Sequence, residues 1–348
     1  IFLSDEIVAR DSPSAELFLQ GPLHVEELEI RTRGLSSEKS LVLAVPIAAG
    51  KYPVVIFLHG YVPLRNKFYY DLLQQVASHG YIAVAPLLYD STGWDATEEM
   101  IETAAIADWL PKGLHLHFPQ HLKEVIPDFD RVAIAGHRRG GKVAFGVTLG
   151  LVSQTSLKFS AIAAFDPVDG TGDCQNPPPL LTYTNNSFHL KMPALIVGTG
   201  LGSKRSLLLP ACAPERLGHE EFFIESPAPS YHFVAYDYGV NDILNSDLVW
   251  LSCLLCRCRI PSGPMRRFAA GVLVAFLRSA MGENGEALKD ILENPGVAPV
   301  RLEPPQYKLV PDVPAPAPVP EPEAPPPEPE LQMLLQSGID DHLFNFAF

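Results

Sequence analysis

The sequence predicts an α/β domain built on a mainly parallel, doubly wound sheet, followed by an extended proline-rich C-terminal arm. Three observations carry this. Short apolar runs alternate with helix-length amphipathic stretches, as βαβ units require. The apolar runs are apolar on both faces, as strands covered by helices on each side must be. Beyond residue 310 the composition changes, and ten of the twenty residues from Pro311 to Glu330 are proline.

Taken in order, Val54–Leu58 is a short buried strand between Pro53 and Gly60, and Phe68–His79 is the helix after it. Tyr81–Pro86 is a second strand and Met100–Leu110 a second helix. Arg131–Ala135, Ala161–Phe165, Ala194–Val197 and Tyr231–Tyr236 continue the strand series. Phe268–Leu277, flanked by Arg266, Arg267 and Arg278, reads as a buried helix, because ten residues are too few to span a bilayer. The expected organisation is a globular body over 1–300, a proline-rich acidic linker over 301–330 and a hydrophobic docking peptide over 331–348. The linker's twenty residues from Pro311 to Glu330 read as polyproline II, a semi-rigid spacer of about 60 Å at ~3.1 Å per residue. Leu343, Phe344, Phe346 and Phe348 are the docking side chains. Residues 305–348 are then expected to anchor the body to a protein assembly and to be dispensable for its thermal stability.

The 348 residues carry 26 basic and 40 acidic side chains, a net charge of −14. That charge argues against nucleic-acid binding, which needs a basic face. The lack of an initiator Met and of a signal-peptide pattern fits a mature form. Five cysteines, an odd number, suggest a reducing compartment rather than a disulfide framework. Cys253, Cys256 and Cys258 read as packed thiols before they read as a metal or redox site.

The segment Ile134-Ala-Gly136-His-Arg138-Arg139-Gly140-Gly-Lys142 follows a strand and opens a helix. Glycines at 136 and 140 around a central residue form the frame of the α/β-hydrolase nucleophile elbow, G-x-S-x-G. In that frame Arg139 supplies one oxyanion N–H, and the loop His59-Gly60-Tyr61 supplies the second. The central residue, however, is Arg138. A guanidinium stays protonated and cannot attack a carbonyl.

With these residues in view the chain resembles plant-type chlorophyllases over residues 15–300. The shared blocks are Phe57-Leu-His-Gly60, Phe68 to Pro86, Gly136-His-Arg-Arg-Gly-Gly-Lys142, Phe165-Asp-Pro-Val-Asp-Gly170 and Pro264-Met-Arg-Arg-Phe268. The family reads G-H-S-R-G-G-K at the elbow. The resemblance implies an α/β-hydrolase fold and cleavage of the phytyl ester of chlorophyll to chlorophyllide and phytol by a Ser-Asp-His triad without a metal. The triad positions fall on Arg138, Asp166 and Val240, where the family's D-Y-G-H-M-D segment reads Asp237-Tyr-Gly-Val240-Asn-Asp242. Nucleophile and base are both replaced. Loss of a triad nucleophile costs on the order of 10⁶ in turnover in a model protease. The resemblance with these changes therefore implies a catalytically degenerate binding or structural subunit in the chloroplast, peripheral at the thylakoid membrane. Its partners would be a photosynthetic protein assembly and a bound chlorophyll or related pigment, with no cofactor required. An active chlorophyllase is the alternative. Arg138 is further expected to bend toward Asp166, whose carboxylate has lost its histidine.

Three other motifs have plainer readings. His115, His117 and His121 fall in a connection that carries prolines at 111 and 119, and read as a partly exposed loop or helix end before a metal cluster. Gly198 to Lys204 looks like a phosphate loop but lacks its spacing. Asp95 to Glu99 reads as an acidic helix start.

Overall fold

A computed structural model of the chain describes residues 12, 14–60, 65–88, 93–172, 174–205, 211–245, 253 and 256–310. The chain divides into a unit Ile1–Val310 and a second unit, Pro311–Phe348. The second unit lies outside the described residues, as do most of the expected linker and all the docking side chains Leu343, Phe344, Phe346 and Phe348.

The strands are β1 (Val25–Arg31), β2 (Ser40–Pro46), β3 (Gly50–Leu58), β4 (Ile82–Pro86), β5 (Val125–His137), β6 (Ala161–Phe165), β7 (Gly170–Thr171), β8 (Cys174–Gln175), β9 (Ala194–Thr199), β10 (Ser230–Ala235) and β11 (Gln306–Lys308). Nine form one sheet in the order β1-β2-β4-β3-β5-β6-β9-β10-β11, and β7-β8 is a separate hairpin. From β4 to β10 every neighbour is parallel, while β1, β2 and β11 are antiparallel additions at the edges. This is the α/β-hydrolase fold.

The helices are α1 (Tyr70–Ser78), α2 (Thr97–Gly113), α3 (Arg139–Thr148), α4 (His219–Glu225), α5 (Gly263–Ala280) and α6 (Glu286–Glu293). They cover both faces, and the period-two geometry of a strand decides which side chain meets which layer. Val55, Phe57, Ala133, Ala135, Ala163 and Phe165 join the core under α1 and α5. Val54, Ile56, Val132, Ile134, Ile162 and Ala164 join the core under α2 and α3. Because both faces are covered, these strands show no polar alternation. In α5 the whole stretch Phe268–Leu277 is buried, which makes it a core helix.

The body continues past residue 300. Gln306–Lys308 pairs with Ser230–His232, and Lys308 Nζ donates to the carbonyls of Phe223, Ile224 and Ser226 and to Asn186 Oδ1. The ammonium thus sits on the carbonyl end of α4, where the helix dipole is negative. This corrects the expectation that residues 305–348 are dispensable for stability. Removing 311–348 is expected to leave the melting temperature within about 2 °C. Removing 305–348 is expected to lower it by about 3–8 °C, through lost charge-assisted hydrogen bonds and strand pairing. Differential scanning calorimetry of the two truncations checks this, and equal melting temperatures would reject the role given to β11.

Candidate active site

The strand-to-helix turn between β5 and α3 is built by its glycines. A Cβ at Gly136 would lie 2.3 Å from the Gly140 carbonyl group, and one at Gly140 would lie 2.2 Å from Leu58 O. Only hydrogen at both positions lets the helix start against β3 and β5. Arg138, between them, has φ 52° and ψ −115°. A non-glycine residue in this left-handed region costs about 1–3 kcal/mol, so the surroundings must impose it. They do so through Arg138 N donating to Phe165 O at 2.8 Å and Lys142 N donating to Arg138 O at 3.1 Å. The predicted elbow is therefore present, with an arginine at its summit.

The Arg138 side chain donates from Nη2 to Cys212 O at 2.9 Å, and its Nη1 lies 4.0 Å from Cys256 Sγ. Cys212 and Cys256 form a disulfide, and Cys253 pairs with Cys258. The expectation of packed free thiols fails here, because the fold brings Cys212 within 5.7 Å (Cα–Cα) of a residue 44 positions away. Cys174 is free and exposed.

Asp166 follows β6 at φ 43° and is 2% exposed. Its carboxylate accepts the Thr199 N–H at 2.9 Å and the Thr199 hydroxyl at 2.9–3.1 Å. The expected hydrogen bond from Arg138 is not what forms, since the guanidinium reaches the Cys212 carbonyl instead. Burial pushes the Asp166 carboxyl up to about 7, opposed by the Thr199 hydrogen bonds and the Arg138 charge and reinforced by Asp242. Asp242 is itself pushed up to about 6, mainly by burial.

Val240 opens a 3-10 turn and is fully buried. A Cβ at Gly202 would lie 2.9 Å from Val240 Cγ1 and 3.0 Å from Thr199 Oγ1, so these side chains converge beside Asp166. The Val240 carbonyl takes a hydrogen bond from His137 Nε2 at 2.8 Å. A carbonyl only accepts, so Nε2 carries the proton and His137 Nδ1 must accept. Its donor is the Tyr69 hydroxyl at 2.8 Å, and Tyr69 Oη accepts the Gly60 N–H at 2.9 Å. This chain fixes His137 as a neutral imidazole, and its basicity lies well below the usual range because burial and the Arg138 charge both oppose protonation. His232 is no substitute base either. It packs against His219 at 2.9 Å and Gln306 at 3.2 Å, away from Asp166.

The structure thus brings Arg138, Asp166 and Val240 together, along with Gly136 and Gly140. Of the expected oxyanion donors, Arg139 is the first residue of α3, where an N–H has no partner within the helix. The Gly60 N–H is committed to Tyr69, and Tyr61 lies outside the described residues. Beside Arg138 opens a cleft of about 230 Å³, also lined by Trp94, Ala96, Val168, Gly170 and Asn176.

Two roles were missed in the sequence. Thr199, which holds Asp166, sits in the run that looks like a phosphate loop. Lys142 and Asp169 form an ion pair at 2.8 Å with both side chains almost wholly buried, tying α3 to the Asp-Pro-Val-Asp-Gly block. That pair explains why a lysine and a second aspartate belong to these two motifs. His115, His117 and His121 go to three separate partners: Lys123 O, Gly113 O and Glu26.

The chlorophyllase family model matches residues 14–309 of this chain. Chlorophyllase-2 of Arabidopsis thaliana is 45% identical over 263 residues, covering 73% of this chain and 81% of the relative. Chlorophyllase-1 of Arabidopsis thaliana is 40% identical over 275 residues, covering 76% and 83%. A protein of Citrus unshiu named "Chlorophyllase-1, chloroplastic" is 37% identical over 303 residues, covering 84% and 88%.

Proposed function

Because this chain belongs to the chlorophyllase family, we propose that it is a catalytically degenerate member that binds a chlorophyll or related pigment without cleaving it. The observation that carries this reading is the elbow. Its summit holds Arg138 in place of a nucleophile, and the Asp166 carboxylate is held by Thr199 rather than by an imidazole. His137, beside the summit, is already locked between Tyr69 and the Val240 carbonyl. The Thr199 hydroxyl touches a carboxylate, but at 2% exposure it is out of reach of a substrate.

The reading extends to place and partner. The names of the Citrus relatives support the chloroplast, and a peripheral position at the thylakoid membrane is part of the proposal. Residues 311–348, with the apolar end Leu343, Phe344, Phe346 and Phe348, would dock the body to a photosynthetic assembly. Incubation of the purified protein with chlorophyll a, followed by chromatography of the products, tests the central claim. The expected outcome is a pigment-dependent spectral change with no chlorophyllide above background. Chlorophyllide formation that disappears in the Asp166→Asn variant would establish the alternative, an active chlorophyllase.

A further inference from the structure

Trp94 stands at the mouth of the cleft beside Arg138 and is 59% exposed. Its backbone is fixed from both sides. The Arg139 guanidinium donates to the carbonyl of Gly93 and, at 2.5 Å, to that of Asp95, the residues immediately before and after it. The same guanidinium pairs with Glu99 on α2 at 2.5 Å. Next along the chain, the Ala96 N–H donates to Pro177 O at 2.7 Å, and Asp95 Oδ1 accepts the Thr97 N–H at 2.8 Å. The residue after the elbow summit therefore spends its side chain on mounting an indole over the cleft.

An indole has only two side-chain torsions, and a fixed backbone lowers the entropy lost when it meets a ligand. Its face suits a second π-system. Beside it the cleft is lined by the small or apolar Ala96, Val168 and Gly170, by the polar Thr171 and Asn176, and by the cationic Arg138, Arg139 and Lys142. A rigidly mounted indole beside a cleft suits a wide flat ring. We infer that Trp94 is a stacking platform for an extended planar conjugated ring, with Arg139 as the residue that positions it. The inference rests on the pigment-binding reading above and adds the surface on which the macrocycle lies.

Titration of the full chain with pheophorbide a, followed by the shift of the pigment's Soret band, tests it. Trp94→Ala is expected to raise the Kd about 10-fold or more, in line with ~1–3 kcal/mol for a ring stacked on an aromatic side chain. Trp94→Phe is expected to stay within about 3-fold of the starting protein. Arg139→Gln is expected to weaken binding and to lower the fluorescence anisotropy of Trp94 in a background where Trp109 and Trp250 are phenylalanine. Unchanged affinity in Trp94→Ala, or an equal loss in Trp94→Phe, would overturn the platform and leave pigment binding standing. No spectral shift in the unsubstituted protein up to about 100-fold the protein concentration would overturn both.

Discussion

Arg138→Ser together with Val240→His is expected to hydrolyse chlorophyll a at least about 10³-fold faster than the starting chain, while either change alone gains less than about 10-fold. Triad members act as a unit, so restoring one without the other recovers little. A serine at 138 would inherit the elbow conformation, because the glycines and the Phe165 carbonyl impose it rather than the arginine side chain. A histidine at 240 would enter beside Thr199, next to the buried Asp166 carboxylate that must orient it. The added ring overfills a fully buried valine site, at a cost of about 1–3 kcal/mol, so the melting temperature should be recorded with the rate. A folded double variant no faster than the better single variant would show that the three positions do not form a working triad geometry.

Asp166→Asn is expected to stabilise the protein by about 2–4 kcal/mol at pH 8 and by little at pH 4. The folded-state carboxyl is raised to about 7, whereas in the unfolded chain it sits near its ordinary value of about 3.9. Between those values the folded state binds more protons than the unfolded one, so native stability falls as pH rises from about 4 to 7. Asparagine keeps an oxygen for the Thr199 N–H and hydroxyl but has no charge to bury. The variant should therefore lose most of this slope, retaining the part due to Asp242. Urea denaturation at a series of pH values checks the prediction. A variant less stable than the parent at pH 8 would mean that Asp166 is held ionised by partners stronger than Thr199 and Arg138.

The central strands were legible because parallel strands covered on both faces are plain apolar runs, and Val54–Leu58 and Ala161–Phe165 are such runs. Leu41 to Val45 of the antiparallel strand β2 carries the same apolar signal, whereas β1 outside it alternates half-buried and exposed residues and has no such run. β11 was hidden for a physical reason. Gln306-Tyr-Lys308 has no apolar pattern and lies among prolines, and its partners are some 75 residues away in β10. At the site, the elbow and its foreign arginine were plain in the sequence, because steric demands on glycine are local. The guanidinium's destination was not. Charge alone favoured Asp166, but the carboxylate was already satisfied by a threonine hydroxyl and N–H, and the Cys212 carbonyl was reached only through the fold. Counting cysteines could not anticipate the pairs, since parity does not register which thiols the chain folds together.

The two borders of the nine-stranded sheet also bear on behaviour in concentrated solution. An open strand is a template for another chain, and proteins block it with charge, brevity or proline. On one border, β1 presents Glu27, Glu29 and Arg31 as its exposed side chains. On the other, β11 is only three residues long and follows Pro304 and Pro305, which have no N–H to offer a neighbour. Neither border invites a strand from a second molecule, so the fold resists growing into ribbons even though its interior strands are among the most apolar stretches of the chain.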